Sequence, residues 1–193
     1  MPPSMFRVYL LSMSRSTKSY NSSFLAIIDA KSMYASSIDF LQVQAASTGV
    51  DLKFYVWDHQ LFGYSNNGGW QTISSANGWR PVPGSAGYPA ATPITRIQSG
   101  QAFMVFSTGG GTVQFCEQVK VTGEDNVLRT GDLRLRKYLR ASLHTAGGMA
   151  DGNLVVIDGA FSNNVDAEDA MKIIAGGPQF GLRTNNIRLA VEA

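Results

Sequence analysis

Residues 58 to 95 constrain the chain most. They hold six glycines, four prolines and the steps Asn67-Gly68 and Asn77-Gly78. Proline lacks a backbone donor, and Gly and Asn tolerate positive φ, so this stretch must turn repeatedly and cannot carry a long helix. Apolar segments elsewhere are equally short. Leu52 to Trp57 alternates, which places Leu52, Phe54 and Val56 on one side of a strand and Lys53, Tyr55 and Trp57 on the other. Phe6–Met13, Phe24–Ile28, Trp70–Ile73, Leu154–Ile157 and Ile187–Val191 read as further strands. Phe103–Phe106 and Thr112–Cys116 read as a hairpin turning at Gly109-Gly110-Gly111. Ile38–Ala46 fits either a short helix or a strand. No βαβ alternation and no internal repeat is visible. The expected class is all-β: an antiparallel β-sandwich or jelly-roll-like fold with at most short helices.

The polar segment Thr122–Asp132 is the candidate boundary. It separates a β-sandwich module over 1–122 from residues 132–193, which form a second closely packed module or continue the same sandwich. Beyond it, Leu133, Leu135, Leu139, Ala141 and Leu143 alternate with Arg134, Arg136, Tyr138, Arg140 and Ser142. That pattern predicts a half-buried strand with a basic outer face.

Hydrophobic residues are 44% of the chain and charged residues only 16%, against about 25% in an average globular protein. The net charge of +2 is too small to imply nucleic acid. The arginine row at 129–140 lacks an accompanying RNA-binding aromatic motif, so no nucleic-acid partner is expected. No apolar run approaches the ~20 residues of a membrane span, so no membrane insertion is expected. The lone Cys116 excludes an intrachain disulfide. Its apolar-alternating surroundings predict a buried, inert thiol. His59 and His144 are the only histidines, and no Gly-x-Ser-x-Gly elbow is present. Gly109-Gly110-Gly111 lacks the Lys-Ser/Thr of a phosphate loop. The chain therefore reads as non-catalytic and without a cofactor.

Three surface features carry the binding expectations. Trp57, Tyr64, Trp70, Trp79 and Tyr88 lie in or beside the 58–95 stretch, where exposed rings stack on sugars and nearby Asn side chains meet hydroxyls. The competing reading is that Trp57 and Trp70 pair across a hairpin. Asp166, Glu168 and Asp169 are weak metal candidates. A short helix over 166–175, capped by Asp166, accounts for them without an ion. Finally, a sandwich leaves strand edges, and few charges guard them, so protein self-association through an edge is expected.

Three ordered segments carry a family resemblance. They are Ser36-Ser37-Ile38-Asp39-Phe40 with Phe54-Tyr55-Val56-Trp57-Asp58; Ile97–Val105 with Thr112-Val113-Gln114-Phe115; and Leu133-Arg134-Leu135 through Asp166–Lys172. Their order resembles β-sandwich modules near the C-termini of large Bacteroidota surface proteins exported by type IX secretion. A Gly-Asn-Pro-Tyr-like turn of such modules is replaced here by Asp29-Ala30-Lys31-Ser32-Met33-Tyr34. The resemblance implies an extracellular or cell-surface location and a structural or adhesion role, with carbohydrate binding as the alternative. It implies no catalytic residues. The N-terminus shows no signal-peptide pattern, which fits either an internal protein or a piece excised from a longer exported chain.

Overall fold

The computed structural model describes residues 6–10, 23–29, 36–62, 68–122, 137–162, 164–173, 176–184 and 186–193, with 6–10, 23–29 and 108–110 described by backbone alone. In chain order the first elements are β1 (Phe6–Leu10), β2 (Ser23–Asp29), β3 (Ser37–Asp39), α1 (Phe40–Ala46), β4 (Thr48–Asp58) and β5 (Gly69–Ser74). There follow β6 (Arg96–Ile97), β7 (Ala102–Phe115), a 3-10 turn at Glu117–Val119 and β8 (Lys120–Val121). The last are β9 (Lys137–Thr145), β10 (Gly148–Ile157), β11 (Ala170–Met171), β12 (Leu182–Thr184) and β13 (Ile187–Glu192). The all-β, antiparallel-rich expectation holds, with α1 the one α-helix among the described residues.

The chain divides into two compact units: Met1–Phe54 with Thr95–Val127, and Tyr55–Ile94 with Leu128–Ala193. Residues 55–94, read from sequence as part of a 1–122 module, thus belong with the C-terminal segment.

In the first unit, β7 pairs antiparallel with β1, from Phe6↔Phe115 to Leu10↔Gly111, and with β2, from Ser23↔Thr108 to Asp29↔Ala102. β3 pairs with both β6 and β8. The Ile38–Ala46 ambiguity resolves into both alternatives: a three-residue strand, then a helix. Asp39 makes the switch, its Oδ1 accepting the Leu41 N–H at 3.0 Å as an N-cap. Ser47 ends α1, donating its hydroxyl to the Val43 carbonyl and accepting the Gln114 N–H of β7 at 3.0 Å. Phe40 and Phe54 meet at a tilt of 36° with centroids 4.6 Å apart, and Val43, Val50, Ile97, Val105 and Val113 of this unit are buried as well.

Two expectations fail in this unit. The Gly109–Gly111 turn does not exist; β7 runs unbroken for 14 residues. Gly111 meets a packing demand instead. A Cβ there would stand 2.1 Å from the Thr48 carbonyl oxygen of β4, a close approach only glycine allows. Cys116 is not buried: it sits just past β7, partly exposed, at the start of the 3-10 turn.

In the second unit the sheet order is β11-β13-β10-β9, with β12 also on β13. β9 and β10 form an antiparallel hairpin with a register shift between Met149 and Asp151. β10 and β13 are parallel, Leu154 facing Val191, within the otherwise antiparallel-rich architecture. Leu154, Val156, Ala170, Val191 and Ala193 pack with Ala76 and Val82 in one core, and Phe161 lies against it. Val82 reaches that core through a two-way backbone bridge to Thr72 (2.7 and 2.9 Å).

No helix forms over the described part of 166–175: residues 167–169 bend and lead into β11, while 174–175 lie outside the described residues. The acidic side chains satisfy backbone donors: Asp166 Oδ1 accepts from Glu168, while Asp169 accepts from Asp166 through one oxygen and from Ala193 through the other. The Asp169 bond to Ala193 pins this segment to the end of β13, and a strand takes the place of the helix.

Candidate functional site

The predicted aromatic site is only partly assembled. Trp57 on β4 and Trp70 on β5 meet edge-to-face at 5.1 Å and 81°, both half-buried. Gly68, at φ +112°, leaves room for the Trp57 indole, since a Cβ there would lie 2.6 Å from its Nε1. A T-shaped pair is the preferred geometry of aromatic neighbours and does not make a coplanar shelf for a sugar. Trp79 is half-buried with φ 64°, held by its N–H to the Ser74 carbonyl and its carbonyl to the Ile94 N–H, both 2.7 Å. Tyr88 is half-buried on the 85–88 turn, where its N–H donates to Ser85 Oγ. Tyr64 lies outside the described residues.

The same stretch holds a polar chain that sequence patterns did not single out, with Asp58 and Gln71 buried and Gln60 exposed. Asp58 accepts the Gln60 N–H through Oδ1 (2.8 Å) and the Gln71 Nε2–H through Oδ2 (2.7 Å). Gln71 Oε1 accepts from the Gly84 N–H at 2.8 Å, and Gln60 Oε1 from Gly87 at 2.6 Å. The Asp58–Gln71 link joins two side chains, and the other three each serve a backbone donor within residues 58–95, so this network fastens the loop. Arg140 adds to it from β9, its Nη1 donating to the carbonyls of Pro83 (2.8 Å) and Pro81 (3.3 Å). Burial, then the neighbouring Arg80 charge, lowers the Arg140 pKa.

A second buried ionic group lies on β10. Lys172 pairs with Asp151 Oδ1 and donates to the Gly152 carbonyl at 2.8 Å. Asp151 Oδ2 accepts the Phe180 N–H (3.0 Å), and Asn153 Nδ2 donates to the Phe180 carbonyl (3.1 Å). The network closes on itself and ties residues 172 and 180 to the strand. His59 and His144 are both exposed. The Asp166 and Asp169 carboxylates accept from backbone donors as described above, Glu168 taking part through its own N–H, and among the described residues no group of three or more His, Cys, Asp or Glu could hold a metal ion.

The surface that stands out is β9. It ends its sheet, and among the described residues it pairs with β10 alone. The sequence predicted a half-buried strand, but no residue of β9 is buried. Leu139, expected to face inward, is 62% exposed; Tyr138 is 45% exposed and Ile157, opposite Lys137, 56%. The alternation marks the strand, but no described element covers its leucine face. The basic character is thinner than expected, because Arg140 turns back to the proline loop; Arg129, Arg134 and Arg136 lie outside the described residues.

No family model, curated protein or solved structure matches the chain. No helix among the described residues is long and apolar enough to cross a membrane.

Proposed function

We propose that the chain is a non-catalytic structural or adhesion-type module of a bacterial surface or secreted protein, engaging other proteins through the β9 edge. One observation carries the reading: β9, nine residues long, pairs among the described residues with β10 alone and exposes the apolar side chains of Leu139 and Tyr138. Native proteins usually blunt such an edge, because its open N–H and C=O groups accept another strand. The surface location rests on the resemblance of the three ordered segments. The aromatic residues give the carbohydrate alternative less support, since Trp57 and Trp70 spend their geometry on each other.

Display of the chain on an otherwise non-adherent bacterium tests this reading. Attachment to protein-coated surfaces should rise, fall several-fold with Leu139→Lys, and resist competing polysaccharide. Absence of any gain would remove the adhesion reading. Attachment that polysaccharide blocks, and that Trp70→Ala abolishes, would replace it with carbohydrate binding.

A further inference from the structure

We propose that β9 pairs antiparallel with β9 of a second copy of this chain, about a two-fold axis through Ala141. This rests on the reading of β9 as the presented edge and names its occupant. Ala141 is the midpoint of Lys137–Thr145, so this axis uses the full strand, a length of roughly 30 Å.

The side chains fit that register. In a two-fold pairing, residues equidistant from the axis face each other. Leu139 then lies opposite Leu143 of the second copy, Tyr138 opposite His144, Arg140 opposite Ser142, and Lys137 opposite Thr145. Both apolar residues of one face meet, and each cation meets a neutral side chain. Moving the axis one residue to Arg140 sets Leu139 against Ala141 and Leu143 against Lys137, which breaks both leucine pairs. Moving it to Ser142 sets Leu139 against Thr145 and Arg140 against His144. The charge best placed to guard the edge is also occupied: the Arg140 guanidinium is bonded to the Pro81 and Pro83 carbonyls of its own chain. No carboxylate lies on β9 to repel or recruit a different partner.

Sedimentation equilibrium and directed cross-linking test the pairing together. In a Cys116→Ser background, Ala141→Cys should yield a covalent dimer on mild oxidation, since facing Cα atoms of an antiparallel pair stand about 4.5–5.5 Å apart, within disulfide reach. Lys137→Cys should not, because it would stand roughly 27 Å from its own copy along the strand. Wild-type chain should self-associate, and Leu139→Lys, exposed and so harmless to folding, should weaken association about tenfold by removing two leucine pairs. Far-ultraviolet spectra matching wild type would show that each variant folds. A chain that stays monomeric at every concentration overturns the pairing, as does a dimer that cross-links at 137 or fails to cross-link at 141. Surface attachment by a strictly monomeric chain would keep the presented edge and reject only the second copy. Dimers without attachment would reject adhesion and keep the pairing.

Discussion

Lys172 and Asp151 are 6% and 7% exposed and form an ion pair inside the protein. Removing one partner leaves a buried charge uncompensated. Lys172→Met should therefore cost about 3–5 kcal/mol in urea unfolding, while the double variant Lys172→Met/Asp151→Leu should recover much of that loss. Burial, opposed by the Asp151 carboxylate, holds the Lys172 pKa below its ordinary 10.5. The unfolded chain then binds the extra proton between the two values, so the contribution to stability grows as pH rises toward 10.5 and is lost as pH falls through the folded value. The difference in urea midpoint between wild type and Lys172→Met, followed across the alkaline range, should widen in favour of wild type. A difference that narrows would contradict the lowered pKa. Cys116 gives a second test at this scale. Its partial exposure predicts labelling by a thiol reagent in the native state, faster than the global unfolding rate; protection until unfolding would contradict its position.

Among elements, β7 shows where local reading stops. Val8, Ile27, Phe54, Ile73 and Val156 lie in strands that their neighbours announced, because branched and aromatic residues bounded by turn formers suit a pleated surface. Three consecutive glycines announced a turn equally well, yet Gly111 is there because the β4 backbone passes against it. Only the tertiary contact separates the two causes. Gly111→Ala should accordingly cost about 1–3 kcal/mol in thermal or urea unfolding, through a backbone clash that no rotamer relieves. An unchanged midpoint would mean that β4 and β7 do not approach so closely. Asp166–Asp169 misled for the same reason: an N-cap and a carboxylate holding the end of a distant strand look alike until Ala193 is in place. The candidate surface was half legible. Alternation located the β9 strand, but burial depends on what lies over it, and leucines with nothing described above them read as core.

At the scale of the molecule, the second unit is assembled from two separated lengths of chain. Ala76 and Val82 come from one, and Leu154, Val156 and Val191 from the other; Tyr55 donates its hydroxyl to the Met171 carbonyl between them at 3.1 Å. A fragment of residues 132–193 expressed alone should therefore lack a closed core and show an unfolded far-ultraviolet spectrum. The whole chain should give one dominated by strand and turn. A cooperatively folding 132–193 fragment would show instead that the boundary read near residue 122–132 marks a self-sufficient module.

That discontinuity also sets an order of events during synthesis. As the chain leaves the ribosome, residues 55–94 emerge well before the segment they must join, while 95–127 complete the first unit between. Val56, Leu61, Ile73 and Val82, all buried in the finished protein, wait uncovered in the interval. Contacts so distant in sequence close slowly, and apolar surface left open meanwhile is what chaperones bind. The nascent chain thus passes its most aggregation-prone moment between the completion of its two units, and slowed translation beyond residue 127 would lengthen it.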